Sequence, residues 1–270
     1  MGLPRQVICI NWGPKYGPPF INRLYAMVAR NLTPPFRFVC FCDDPTGIRE
    51  EVETFPLPGL DFEVPEMERG IWPKCRLWNE RLGDLEGPVL FLDLDLVVTG
   101  SLDCFFEYGD RDDVILARNP SNPLERLGQT SAYRFPVGGL KPLLDEFAEA
   151  PRAIALRYRF EQRYVTRRAP GGVRMWPRPW VRHFRRDCRR LFPLNYFLPP
   201  KLPKDARIVI FPGGLHPGEA IRGIYTKGTP PRTPWEHVKA GLRGERKKSL
   251  LKHLRHYILP TPWAAAHWRE

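Results

Sequence analysis

The sequence contains no long apolar run, and nowhere do apolar residues approach the roughly 18 in succession that suggest a membrane span. A signal-peptide core is also missing, because residues 1–5 lead directly into a strand-like segment. The six cysteines include no Cys-x-x-Cys pair and lie mostly in apolar runs, at positions 9, 40, 42, 75, 104 and 188. This usage argues against a zinc site or a disulfide framework and predicts reduced, buried thiols in a cytosolic protein.

Acidic residues are scarce in the C-terminal part of the chain. Residues 151–270 contain 27 Lys and Arg but only 7 Asp and Glu, whereas residues 1–150 contain 15 and 23. The net charge of +12 therefore belongs to the C-terminal part alone. A basic surface of this kind suits nucleic acid, an anionic membrane or an anionic substrate, and composition does not choose among them.

Regular patterns are clearest near the N-terminus. Residues 7–10 predict a strand, residues 20–32 a helix with apolar positions on one face, and residues 36–41 a second strand. This order predicts a βαβ unit and a parallel sheet. Further elements are predicted as helices over 72–82 and 142–149 and as a strand over 113–117, after which regular patterns become sparse.

An apolar run at residues 89–98 is interrupted by Asp93 and Asp95. Because side chains alternate along a strand, these two carboxylates are expected on one face. Burying two like charges together is unfavourable unless a cation compensates them. The pair therefore predicts a divalent metal at the carboxyl end of this strand, shared with an anionic ligand such as a diphosphate. The alternative is a strand end with two solvated aspartates.

The segment Phe91-Leu92-Asp93-Leu94-Asp95 resembles the DxD signature of GT-A glycosyltransferases, in particular glycosyltransferase family 8 and its bacterial relatives. Upstream, residues 71–77 resemble the aromatic-Arg-Leu segment by which that family contacts its donor. Downstream, residues 129–135 stand where the family has a loop and strand facing donor sugar and acceptor, and residues 161–162 resemble its Asp-Gln pair. The likeness covers roughly residues 6–222.

The resemblance implies an α/β fold of the GT-A (Rossmann-like) type, with a mixed, mostly parallel sheet flanked by helices. We predict this domain over residues 1–235 and a basic amphipathic C-terminal extension over residues 236–270. The extension suits either an anionic bilayer surface or a solvated helix packed on its own domain. Its cations in order are Lys239, Arg243, Arg246, Lys247, Lys248, Lys252 and Arg255. The expected location is the cytoplasm. Peripheral attachment to the inner face of the membrane is the alternative that the basic extension leaves open.

The resemblance also implies a donor site. Its candidate catalytic residues are Gln129, Glu161 and Gln162. Its candidate nucleotide-sugar contacts are Asn11, Trp12, Gly13, Lys15, Tyr16, Lys74, Arg76, Thr130 and Ser131, and its candidate metal ligands are Asp93, Asp95 and His216. Each aromatic ring is equally consistent with ordinary packing, and Glu161 has an alternative partner in Arg157 at the i−4 position.

The third metal ligand departs from the family pattern. The family usually supplies it from a His-x-x-Gly-x-x-Lys-Pro motif, but residues 211–220 here read FPGGLHPGEA. A proline stands in place of the histidine, and His216 stands near the expected lysine. His216 is thus predicted either to reach the metal through a rearranged loop or to contact the diphosphate. Weakened metal use and a solvent-exposed loop histidine are the alternatives.

Together these features predict transfer of a sugar from a nucleotide-diphosphate sugar, with a UDP-hexose as the expected donor, to a glycan or lipid-linked acceptor. Mn²⁺ or Mg²⁺ would act as the Lewis acid. A haloacid-dehalogenase-type phosphatase shares the Asp-x-Asp string, but a βαβ unit precedes it here and residues 151–270 contain no adjacent Asp pair. A nucleic-acid-binding protein would use the arginines at residues 185–190 and leaves the acidic pair unexplained.

Overall fold

The structure is a computed structural model that describes three stretches of the chain, residues 4–120, 125–245 and 249–270. Arg246, Lys247 and Lys248 of the predicted basic extension lie outside the described residues. Within those stretches, no helix combines the length and the hydropathy needed to cross a bilayer.

The chain divides into two compact units. The first comprises residues 1–94 and 101–178, and the second comprises residues 95–100 and 179–270. The chain therefore enters the second unit briefly after residue 94, returns, and leaves the first unit after residue 178. The domain boundary placed after residue 235 stays a prediction.

The strands, in chain order, are β1 Arg5–Asn11, β2 Phe36–Cys42, β3 Glu53–Pro56, β4 Pro88–Leu92, β5 Val97–Val98, β6 Ile115–Arg118, β7 Gly128–Pro136, β8 Arg174–Met175, β9 Val181–His183 and β10 Ile208–Ile210. In the first unit they form one sheet in the order β3-β2-β1-β4-β7-β6-β8. Strands β3, β2, β1 and β4 run parallel, and β7 is antiparallel to both β4 and β6. The predicted α/β fold with a mixed, mostly parallel sheet is confirmed.

The α-helices, in chain order, are α1 Pro18–Ala29, α2 Asp103–Glu107, α3 Lys141–Glu149, α4 Pro151–Tyr158, α5 Glu161–Arg168, α6 Pro217–Ile221, α7 Pro234–Leu242, α8 Leu250–Leu254 and α9 Pro262–His267. Helices α1 and α3 match two predicted helices. The helix predicted over 72–82 is instead a shorter 3-10 helix, Trp72–Trp78. Its period of three residues places Trp72, Cys75 and Trp78 in one buried row.

The main core lies between the sheet and the 3-10 helix with α3, α4 and α5. Ile8 of β1 and Phe91 of β4 contribute from the sheet, and the Trp72 and Phe147 rings stack with centroids 4.8 Å apart. The α4 and α5 helices were not predicted, because their charged sequences bury only a few apolar positions. This packing fixes the 3-10 helix rigidly over the sheet.

The second unit contains a sheet in the order β5-β10-β9, with β10 antiparallel to β5 and parallel to β9. Where the sequence suggested one basic amphipathic segment, the described residues form the short helices α7, α8 and α9. Across both units the six cysteines are unpaired thiols and five of them are buried, so the predicted burial holds for all but Cys104. The cytosolic location stays a prediction. Burial raises the pKa of the Cys75 thiol to about 12.

A buried arginine fastens α2 to strand β7. Arg134 is 1% exposed, and burial lowers its pKa. Its Nη1 donates to the carbonyls of Phe105 and Phe106 at 3.0 and 3.2 Å, and its Nη2 donates to the carbonyl of Asp110 at 2.5 Å. Carbonyls at a helix C-terminus lack intrahelical donors, so the guanidinium satisfies groups that would otherwise be orphaned.

Replacing this arginine should destabilise the fold. Arg134→Met is expected to lower the free energy of unfolding by about 3 kcal/mol, because the carbonyls of Phe105, Phe106 and Asp110 lose their donor. Arg118→Met, at an exposed position on the adjacent strand β6, is the matched control and should change it by less than about 0.5 kcal/mol. Urea unfolding followed by circular dichroism measures both, and equal effects would contradict the assigned role.

Candidate functional site

Asp93 and Asp95 lie in the turn that follows β4. The strand ends at Leu92 and β5 begins at Val97, so the two aspartates do not belong to one continuous strand. Strand alternation therefore does not set their directions, and that expectation is wrong. Their place at the carboxyl end of a buried strand is confirmed. Both side chains are half-buried, with Asp93 in the first unit and Asp95 in the second.

A buried lysine neutralises Asp93. The Lys74 Nζ atom lies 2.5 Å from Asp93 Oδ1 and 5.0 Å from the centroid of the Phe91 ring. The Lys74 side chain is 4% exposed and that of Asp93 15% exposed. With so little water, removing either partner leaves the other charge uncompensated at a cost of several kcal/mol. Lys74 is carried by the 3-10 helix, whose packing holds the ammonium in place.

Glu161 connects that helix to strand β7. Its Oε2 accepts the backbone N–H of Ile71, the residue before the 3-10 helix, at 2.8 Å. Its Oε1 accepts the hydroxyl of Thr130 at 3.1 Å, and the residue is 5% exposed. These two donors, rather than Arg157, satisfy the carboxylate; the Arg157 guanidinium instead lies over the Tyr158 ring. Glu161 is therefore a buried clamp between three segments.

Strand β7 closes the set of contacts. The backbone N–H of Asp93 donates to the carbonyl of Ser131 at 2.8 Å, and Ser131 follows Thr130 on the strand. The Gln129 side chain folds over Ser131, accepting its N–H at 2.7 Å and donating to its hydroxyl at 2.5 Å. We call this closed set the contact ring: Lys74, Asp93, Ser131, Thr130 and Glu161. All its members belong to the first unit.

The loop after β1 is held by two hydrogen bonds. Asn11 Oδ1 accepts the backbone N–H of Gly17 at 3.3 Å, and Asp43 Oδ2 accepts that of Gly13 at 2.7 Å. Both glycines have positive φ, 61° at Gly13 and 72° at Gly17, which other residues adopt with difficulty. Asp43 was missed by sequence reasoning. The available signal was its place directly after β2, the parallel neighbour of β1, because carboxyl ends of parallel strands meet at one edge.

Three side chains of the same loop were predicted to contact the nucleotide. The Lys15 ammonium lies 4.3 Å from the Tyr16 ring, which in turn packs on Phe20 with centroids 4.9 Å apart. Trp12 is partly buried and packs against the core. Their contacts with a nucleotide stay predictions.

Three other predicted residues lie outside the contact ring. Lys74 and Arg76 were both predicted to bind phosphate. Lys74 pairs with Asp93, whereas Arg76 donates to the carbonyl of Pro58 at 2.7 Å. Gln162 follows Glu161 on α5 and is half-buried. His216, in the second unit, precedes α6, and its backbone N–H donates to Glu219 at 3.1 Å. Their catalytic, donor and metal roles stay predictions.

The metal prediction can be weighed against the residues present. Carboxylates such as those of Asp93 and Asp95 are the hard oxygen ligands that Mg²⁺ and Mn²⁺ prefer. The described residues, however, contain no group of three or more His, Cys, Asp or Glu side chains that could hold a metal ion. Lys74 also already supplies positive charge to Asp93. A cation at Asp93 would therefore have to compete with the ammonium.

No family model and no curated protein sequence matches the chain. Solved structures do match it. The galactosyltransferase LgtC, in complex with donor and acceptor sugar analogs, has a TM-score of 0.52 at 11% identity, over 90% of this chain and 96% of LgtC. The glycosyltransferase GlyE of Streptococcus pneumoniae TIGR4 has a TM-score of 0.55 at 11% identity, over 93% of this chain and 62% of GlyE.

The fold is a GT-A glycosyltransferase fold. A third similar structure, the bifunctional glycosyltransferase WbbM, has a TM-score of 0.52 at 11% identity, over 79% of this chain and 46% of WbbM. At such low identity the likeness concerns the GT-A fold itself, and the narrower resemblance to family 8 stays a prediction.

The two substitutions of Glu161 should differ in stability. Glu161→Gln keeps an oxygen for the Ile71 N–H and places an amide against Thr130, whose hydroxyl also accepts, so the free energy of unfolding should change by less than about 1 kcal/mol. Glu161→Ala leaves the Ile71 N–H and the Thr130 hydroxyl without their acceptor and should lower the free energy of unfolding by about 3 kcal/mol. Urea unfolding measures both variants. A Gln variant as unstable as the Ala variant would show that the negative charge itself holds the clamp together.

Proposed function

We propose that the chain is a glycosyltransferase that moves a hexose from a nucleotide-diphosphate sugar, with UDP as the nucleotide, to a glycan or lipid-linked acceptor. The observation that carries this proposal is the contact ring. Five residues that the resemblance assigns to a donor site come together at the carboxyl end of β4, in a fold shared with glycosyltransferases. Ligands of parallel α/β sheets characteristically bind outside that edge.

Transfer creates negative charge where the donor breaks. The bond between the anomeric carbon and the diphosphate oxygen breaks with its electron pair moving to the diphosphate. The acceptor oxygen bonds to that carbon, and its proton passes to the departing diphosphate or through it to water. Lys74 has three N–H donors, and Asp93 Oδ1 receives one of them. In our proposal a second one points to the leaving diphosphate. A fixed ammonium with little competing water stabilises such charge without reorganising during the reaction.

The other members of the contact ring position that ammonium. Glu161 holds the start of the 3-10 helix through Ile71, and the same helix carries Lys74. We therefore assign Glu161 as a positioning residue. Gln129 and Ser131 are half-buried beside Asp93 and supply amide and hydroxyl groups suited to sugar hydroxyls.

The acceptor side of the proposal rests on charge. The C-terminal part of the chain, with 27 Lys and Arg against 7 Asp and Glu, suits an acceptor that carries phosphate or carboxylate groups. A lipid-linked acceptor would bring the protein to an anionic membrane surface. The basic extension at residues 236–270 is the sequence's candidate for that contact.

A panel of nucleotide sugars tests the transfer. We expect a UDP-hexose to raise the melting temperature and to be slowly hydrolysed, and Lys74→Met to reduce that hydrolysis by about 100-fold because the leaving group loses its cation. The matched control is Lys141→Met, which removes the lysine of the exposed Lys141–Asp145 pair on α3 and should leave turnover unchanged. Failure of every donor to stabilise the protein, or equal loss in both variants, would contradict the proposal.

Metal assistance through Asp93 and Asp95 is a separate prediction with its own readout. Free Mn²⁺ measured by electron paramagnetic resonance should fall on adding protein. Asp93→Asn and Asp95→Asn should each weaken binding by about tenfold or more, because a carboxylate ligand is lost. Lys74→Met should tighten it by about tenfold, because the ammonium no longer competes for Asp93. If the protein binds no Mn²⁺ at millimolar concentration, metal assistance is wrong while transfer itself can still stand.

A further inference from the structure

Exposed apolar side chains are concentrated in one short loop of the second unit. Ten large apolar side chains are exposed in the described part of the chain, and five of them fall within residues 191–198. Leu191 and Phe197 are each 74% exposed, and the set is Leu191, Phe192, Leu194, Phe197 and Leu198. Single exposed apolar residues are common, but a contiguous group of this kind marks an interaction surface.

The loop is closed at its base. The backbone N–H of Lys201 donates to the carbonyl of Cys188 at 2.7 Å, and Arg190 Nε donates to the carbonyl of Pro199 at 3.1 Å. Its ends are thus held together, as in compact Ω-loops. We call residues 189–200 the apolar loop.

Two residues at the centre of the apolar loop hold it from inside. Asn195 is 1% exposed, and its Nδ2 donates to the carbonyls of Leu254 and Tyr257, both at 3.1 Å. The Tyr196 ring stacks on Tyr257 with centroids 4.7 Å apart, and its hydroxyl lies 2.8 Å from His237 Nδ1. Because the Asn195 amide nitrogen and the Tyr196 ring bind the rest of the unit, the apolar residues on either side of them are kept at the surface.

Basic residues flank the apolar loop on both sides. Residues 179–188 contain three arginines and one acid, Asp187, the loop itself begins with two more arginines, and residues 201–207 contain three cations and one acid, Asp205. Some of these arginines also have fixed partners within the unit; Arg189, for example, donates to the Tyr225 hydroxyl at 3.1 Å. An exposed apolar loop with cations before and after it in the sequence suits the two layers of an anionic bilayer, acyl chains inside and charged headgroups outside.

We propose that the apolar loop inserts into the interface of an anionic bilayer and attaches the protein to it. The loop, rather than the extension at residues 236–270, is then the main membrane contact. The extension forms short helices in the same unit, and its Trp263 indole donates to the carbonyl of Pro200 at 3.1 Å, so that ring packs against the base of the loop. This proposal does not depend on sugar transfer, because it concerns binding alone.

Vesicle sedimentation tests the proposal with the full chain. Vesicles of phosphatidylcholine with about 30% phosphatidylglycerol should bind the protein, and vesicles of phosphatidylcholine alone should bind it at least about tenfold more weakly. The double variant Leu191→Ser with Phe197→Ser should weaken binding to the anionic vesicles by at least about tenfold. Its melting temperature should be unchanged, because both side chains are exposed.

Two matched controls separate the loop from other exposed apolar residues. Leu156→Ser, at a 60% exposed position on α4, should bind vesicles like the unchanged protein. The double variant Leu242→Ser with Leu251→Ser should bind the anionic vesicles no more than about threefold more weakly than the unchanged protein. A larger loss of binding than that of the loop variant would show that the extension is the main membrane contact.

A dye reports insertion directly. An environment-sensitive dye on Leu191→Cys should become brighter and blue-shifted with anionic vesicles, and a dye on Leu156→Cys should not. The proposal is overturned if the protein does not bind these vesicles, or if the loop variant binds as tightly as the unchanged protein. It is also overturned if the loop substitutions abolish self-association in analytical ultracentrifugation while vesicle binding persists, since the surface would then be a contact between copies.

Discussion

A lysine with almost no exposure to water has to keep a negative partner, and Lys74 has Asp93. An ammonium that is buried without a carboxylate costs many times the stability of a typical ion pair. The position of the 3-10 helix is therefore tied to the end of β4, and the helix in turn is tied to α5 through Glu161 and Ile71. The 3-10 helix, the end of β4 and α5 are thus held together by the charged groups of Lys74, Asp93 and Glu161.

The helix that carries the buried Lys74 also carries two large aromatic side chains. Trp72 and Trp78 lie on the same short helix as Lys74 and are buried in the core with Phe147 and Tyr164. The ion pair on the same helix has little exposure to water, which strengthens the electrostatic interaction at Asp93. Hydrophobic packing and the ion pair thus both hold this one helix in place.

Much of the first unit could be predicted from the sequence, but some of its elements could not. Apolar periodicity identified β1, α1, β2 and the run ending at Leu92, because each buries a regular face. It failed at α4 and α5, where charged residues dominate and few positions are buried. The acidic pair was found by its improbable position after a buried strand. The partners of Glu161 were not, since a backbone N–H and a hydroxyl 31 residues away leave no pattern in the sequence.

The path of the chain between the units has a consequence for how the protein folds. Strand β5 is part of the second unit, yet it is encoded between two stretches of the first, and its sheet partner β10 follows more than 100 residues later. During synthesis, Val97 and Val98 remain without their strand partner until residues 208–210 have been made. Residues 179–270 expressed alone would lack this edge strand. The second unit is therefore compact but is not one continuous segment of sequence.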